Sequence, residues 1–288
     1  LGKQADVSTA VSARGFRDVR RAAPSSAKRE YLGLGQNAPV SAFTRVAGTR
    51  SVSGAGAIDC SWPLAVWDRP IKPTELFTAE KIIGLSQSQV VTGAKFTDTA
   101  IKARTDLADY RILHFATHGL VTAPRPECPA RPALLTSFGD KDSDGLLSFS
   151  EIFDLRLDAD LVILSACDTA GQATVSATRE VGVTSGGGTA LDGLVRAFVG
   201  AGSRVVIASH WPAPDDYRAT ERLISGLFDA PAGTGVAQAL HDGQVKLMDA
   251  AETSHPYYWA DFAVVGDGAQ PVLRPTTPPA AKVASAVK

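Results

Sequence analysis

The chain alternates between short apolar runs of strand composition and longer stretches in which apolar residues return every three or four positions. Arg111 to Ala116 and Leu161 to Ser165 are the strongest runs, and each is cut off by polar residues where a turn is expected. Tyr31 to Gly35, Val90-Val91, Val205 to Ser209 and Phe262 to Val265 are weaker examples. Helical spacing covers Glu75 to Leu85, with Thr74 or Pro73 as its start, and Thr97 to Leu107. It returns in the stripe Leu191, Leu194, Val195, Phe198 and Val199, closed by Gly202, and again in Ala219–Phe228 and Val236–Met248. Alternation of this kind predicts an α/β fold, a mostly parallel β-sheet flanked by helices on both faces.

The stretches without a core-forming period divide the chain. Residues 1–30, with Arg14, Arg17, Arg20 and Arg21 among small residues, are expected to be a solvated helix or a linker from a longer protein. Residues 31–268 form the main domain, and the Pro- and Ala-rich residues 269–288 a disordered tail. Between Thr122 and Pro132 lie four prolines and three charged residues, which make a loop that either walls a cleft or only covers the surface. Gly171 to Thr189 is too rich in Gly, Ser and Thr for a core and is expected to wall a cleft and order when a substrate or partner binds.

Composition narrows the function. With 288 residues, 44% of them hydrophobic, the chain can bury a full core. A net charge of −1 gives no general electrostatic reason to bind nucleic acid or an anionic membrane. No apolar run approaches membrane-spanning length. The three cysteines, Cys60, Cys128 and Cys167, are odd in number and spaced for no metal site, which favours a reducing, cytoplasmic compartment; Cys128, in the Pro-rich loop, is expected to be a free surface thiol. The chain starts at Leu1 without a signal segment and reads as the C-terminal part of a longer protein.

The two strongest runs lead into reactive residue types, an imidazole at His118 and a thiol at Cys167. A cysteine becomes a thiolate at neutral pH only beside a base or a positive charge, and a histidine supplies both. Taken alone, Cys167 is a buried thiol and His118 a satisfied core histidine. On two neighbouring parallel strands they would stand together at the carboxyl ends, where open α/β sheets keep their ligand crevices.

Several blocks in order carry a resemblance. They are His-Phe-Ala-Thr-His-Gly at 114–119, Asp-Gly-Leu-Leu at 144–147, Glu-Ile at 151–152, Leu-Ser-Ala-Cys-Asp-Thr-Ala at 164–170, Arg-Ala-Phe at 196–198, Ser-His-Trp at 209–211 and His-Pro-Tyr-Tyr-Trp-Ala at 255–260. From about Tyr31 to Gly266 the chain resembles the CHAT domain, a caspase-like, separase-related cysteine peptidase module often fused to tetratricopeptide repeats. His118 precedes Cys167 by 49 positions, near the ~50 of caspases. The resemblance implies a caspase-like sheet, a His118/Cys167 dyad, and an oxyanion hole from the backbone N–H groups of Gly119 and Cys167. It implies a protein or peptide substrate and control by an upstream tetratricopeptide-type region or a partner protein. A protease-derived interaction module that has lost activity, or a cysteine acyltransferase, are the competing classes.

Other residues receive lesser roles. Ser165 and Asp168 flank the nucleophile as substrate-pocket candidates, and no acid stands just before the cysteine of the kind that relatives preferring basic residues carry. His210, where the family more usually has leucine, and Trp211 are further pocket candidates, although a strand end and core packing account for them. His114 is expected to support the site without being catalytic. No metal or other cofactor is expected. Asp140 to Glu151 matches an EF-hand calcium loop, but Ser148 to Glu151 is also a capping box that explains Glu151 without Ca2+.

Overall fold

The computed structural model describes residues 3–10, 12–40, 61–120, 126–128, 132–165, 188–211 and 216–275, with the backbone alone for 188–193. In chain order the strands are β1 (Ser8–Thr9), β2 (Arg29–Gly35), β3 (Ser88–Thr92), β4 (Tyr110–Ala116), β5 (Gly119–Leu120), β6 (Ala133–Leu135), β7 (Leu146–Ser148), β8 (Ala159–Ser165), β9 (Ser203–Ser209) and β10 (Phe262–Gly266). The helices are α1 (Ala13–Arg21), α2 (Thr74–Ile83), α3 (Asp98–Lys102), α4 (Phe149–Asp154), α5 (Gly188–Ala201), α6 (Ala219–Asp229) and α7 (Val236–Asp249).

Seven strands form one sheet in the order β1-β10-β9-β8-β4-β2-β3, and β5-β6-β7 form a small second sheet. All pairs in the large sheet are parallel except β10 with β9. The expected mostly parallel α/β architecture is the one observed. β4 and β8 are buried at every position, because helices cover both faces and each residue meets a core whichever way it points. Leu113, Phe115, Val162 and Leu164 pack with Leu194, Val195 and Phe198 of α5 on one face. Ile112, Leu161, Ile163 and Ile207 pack with Leu223 and Leu227 of α6 and Leu240 of α7 on the other. Gly202 closes α5 at φ 118°, and an added Cβ there would stand 2.2 Å from the Leu157 carbonyl oxygen.

Two expectations are corrected. The helix expected over Thr97–Leu107 ends at Lys102. Arg104 turns its guanidinium onto Asp106 at 2.8 and 2.9 Å and onto Gln89 at 2.8 Å, and a 3-10 turn at Leu107–Asp109 delivers the chain to β4. The tail expected from residue 269 is bound to the domain at least as far as 275: Val272 is 1% exposed, and Gln270, Val272 and Leu273 hydrogen-bond to residues 233–236 at the start of α7.

That tail closes a buried ionic cluster at the amino end of the sheet. Asp160 on β8, 2% exposed, accepts from the Ser25 N–H at 2.9 Å and from Arg274 at 3.1 Å, with Arg111 at 3.5 Å and Arg204 at 3.7 Å. Arg111 on β4 is fully buried and also reaches Glu30 at 2.7 Å and the carbonyls of Pro271 and Val272.

Candidate active site

β4 and β8 pair with Ala116 opposite Ser165, so the chain leaves both strands together at the carboxyl end of the sheet. His118 lies just past Ala116, and Ser165 is the buried last residue of β8. Cys167 and Asp168 follow Ser165 and lie outside the described residues, as does most of 171–189.

His118 is 4% exposed, and its Nε2 stands 2.5 Å from the carbonyl oxygen of Arg69. A carbonyl only accepts, so Nε2 carries the ring proton and Nδ1 is the basic nitrogen. Two residues before Arg69, Trp67 is itself fixed. The Trp67 indole N–H donates to the Thr136 carbonyl at 2.9 Å, its own carbonyl accepts from the Asn37 side chain at 2.8 Å, and its ring lies 4.9 Å from that of Phe138. Thr136 and Phe138 continue from β6, which pairs with β5 immediately after His118. The small sheet thus anchors the chain at the histidine, and the segment that follows β6 anchors Trp67, two residues from the carbonyl that orients it.

The peptide between His118 and Gly119 is also fixed. The His118 carbonyl accepts from the Leu135 N–H at 2.8 Å. In a trans peptide the following N–H points the opposite way, so Gly119 directs its N–H away from β6.

His114 is fully buried on the α2 side of β4. The Tyr31 hydroxyl, whose pKa burial raises well above 10, keeps its proton and donates to Nδ1 at 2.9 Å. Nε2 has no hydrogen-bond partner among the described residues, with a Glu75 carboxylate oxygen of α2 at 3.7 Å. Burial lowers the imidazole to about 3, so the ring is neutral at physiological pH.

His210 is exposed where β9 ends, and Trp211 is half-buried with its indole N–H donated to the Tyr257 carbonyl at 3.1 Å. Both backbone N–H groups are held by Asp261, which the sequence reading passed over. Glu151 does cap α4: Ser148 and Glu151 exchange side-chain to backbone bonds, and Lys102 bonds the same carboxylate at 2.5 Å. No group of three or more His, Cys, Asp or Glu side chains able to hold a metal is found among the described residues.

Cys128 is not a free surface thiol. It is 6% exposed and disulfide-bonded, to a partner outside the described residues. The odd cysteine count therefore gives no argument for a reducing compartment. Of three cysteines this bond takes two, so thiol titration of the denatured, unreduced protein is expected to find one thiol; a count of three would show the bond absent. No helix among the described residues is long and apolar enough to cross a membrane.

Comparison with known proteins places the sequence in a family. Tetratricopeptide repeat protein 28 of Mus musculus is 27% identical over 242 residues, and that of Homo sapiens 26% identical over 242 residues. Each match covers 71% of this chain and 9% of the relative, so the chain spans a small part of those proteins. Among solved structures, the Arg-specific cysteine proteinase gingipain R aligns with a TM-score of 0.48 at 10% identity, covering 93% of this chain and 54% of its own. The complex of the Porphyromonas gingivalis RgpB pro- and mature domains aligns at 0.49 and 12% identity, covering 93% and 56%. The sequence model of the CHAT domain matches residues 1–267, taking in the first thirty residues as well as the sheet, and the chain belongs to the CHAT domain family.

Proposed function

We propose that the chain is a cysteine endopeptidase acting through Cys167 and His118, under the control of an upstream repeat region or a partner protein. The observation that carries this reading is the bond from His118 Nε2 to the Arg69 carbonyl. It assigns the ring proton to Nε2 and reserves Nδ1 for a proton taken from a thiol. The parallel register of β4 and β8 supports it further, since the chain enters the Cys167 segment beside the end of β4.

In this mechanism Nδ1 takes the thiol proton, and the thiolate attacks a peptide carbonyl carbon to form a C–S bond. The Gly119 N–H and the Cys167 N–H stabilise the oxyanion. The imidazolium, favoured by the negative end of the Arg69 carbonyl, returns its proton to the amine as the C–N bond breaks. Water, deprotonated by the same Nδ1, then hydrolyses the thioester and restores the thiol. The steps draw on no metal or cofactor, and calcium at residues 140–151 has no part in them. The tetratricopeptide repeats in the names of the relatives support an upstream regulatory region. A mixed set of peptidyl electrophiles gives the test, read by intact mass on reduced protein. Wild type should carry one adduct, at Cys167, and His118→Ala should react at least ~100-fold more slowly. Equal labelling of the two proteins, or none, would point to a fold that has lost its activity.

A further inference from the structure

The exit of β9 is fixed by an acid that the mechanism does not use. β9 runs parallel to β8 with Ala208 opposite Leu164, so Ser209, His210 and Trp211 leave the sheet beside the stretch that leads to Cys167. Asp261, 1% exposed, stands immediately before β10. Its Oδ1 accepts from the backbone N–H of both His210 and Trp211 at 2.9 Å, and its carbonyl accepts the His210 N–H as well. The second carboxylate oxygen, Oδ2, is buried without a hydrogen-bond partner among the described residues. Nature rarely leaves a buried carboxylate half-satisfied on a strand end that polar solvent could have served. Here its role is to decide where that backbone points. Because N–H and C=O of one peptide oppose each other, tying down the Trp211 N–H turns the His210 carbonyl away from Asp261, as an acceptor for a backbone N–H of a bound peptide.

We propose that Asp261 is a positioning residue for peptide docking, holding the His210-Trp211 backbone as one wall of the crevice. The inference rests on the peptidase reading above. It also predicts a pH dependence. Burial raises the Asp261 carboxyl to about 7 against the two N–H bonds that lower it. The titratable or charged side chains on neighbouring segments are Arg204 of β9, His210 itself, Glu252, His255, Tyr257 and Tyr258 before β10, Asp267 after it, and His241, Asp242, Lys246 and Asp249 on α7; none of them is among the causes of the shift. The ionised carboxylate binds both N–H groups more strongly than the neutral acid, so the wall tightens as pH rises through that value.

The test uses tripeptidyl chloromethyl ketones varied at the residue next to the electrophile, with iodoacetamide as a probe too small to need the wall. Asp261→Ala should raise KI ~10-fold with kinact and the iodoacetamide rate within about twofold of wild type. Asp261→Asn, which keeps an acceptor oxygen but cannot ionise, should bring KI back to within about threefold and abolish the fall in KI between about pH 6 and pH 8. Unchanged KI in Asp261→Ala overturns the proposal, as does a parallel loss of KI, kinact and iodoacetamide rate that asparagine does not rescue. If iodoacetamide shows no His118-dependent reaction at Cys167, the peptidase reading itself has failed and the proposal falls with it.

Discussion

Replacing His114 with glutamine is expected to make the protein less sensitive to acid, by up to about 5 kcal/mol at pH 3 relative to pH 7. The imidazole moves from 6.5 in the unfolded chain to about 3 in the fold, because burial penalises its charged form. A lowered folded pKa gives stability that is complete above 6.5 and is lost as pH falls through 3, since only the unfolded chain takes up the proton in between. Each pH unit of that window is worth about 1.4 kcal/mol. Asp261 runs the other way. Its pKa, raised from 3.8 to about 7, gives stability that is complete below 3.8 and is lost as pH rises through 7, about 4 kcal/mol in all. These two contributions oppose each other, so the difference between variant and wild type is what isolates His114. Urea unfolding of both proteins at several pH values reads it, and parallel curves would mean that His114 is protonated in the folded state.

Asp160→Ala should cost about 3 to 5 kcal/mol, a large part of the stability of a domain this size. The acid sits among Arg111, Arg204 and Arg274 and accepts the Ser25 N–H. Removing it leaves Arg111, fully buried, with Glu30 as its remaining charged partner among the described residues and sets three guanidinium groups against one another. Asp160→Asn keeps an acceptor and should cost less. Urea midpoints with an unchanged m-value would confirm the size; a loss below about 1 kcal/mol would show that the arginines hydrate independently.

The sequence made the middle of the sheet legible because buried parallel strands appear as unbroken apolar runs, and β4 and β8 are such runs. His118 was visible for the same reason, being a polar residue where an apolar run stops. What orients it was not visible: the partner is a backbone carbonyl, and a carbonyl has no letter in the sequence. Trp67, the anchor beside it, was the one available signal. Asp261 could have been suspected as an acid between Ala260 and the apolar Phe262 to Val265, but its two N–H partners are 51 and 50 positions away. Arg111 passed as the polar start of a strand, because nothing local shows that Asp160 and the returning Pro271-Val272 segment will enclose it. The helix over Thr97–Leu107 failed because Arg104 and Asp106 found each other and neighbours across the sheet, a tertiary choice that overrides spacing.

The first strand bears on how this domain should be handled. β1 is only Ser8 and Thr9, yet it pairs with Val264 and Val265 and covers the outer edge of β10. A shortened version of the protein that begins after Thr9 would present those backbone N–H and C=O groups to any passing chain, its own copies included. Truncations designed to trim the polar N-terminal arm would therefore trade convenience for self-association, and the arm belongs in every preparation used for assay.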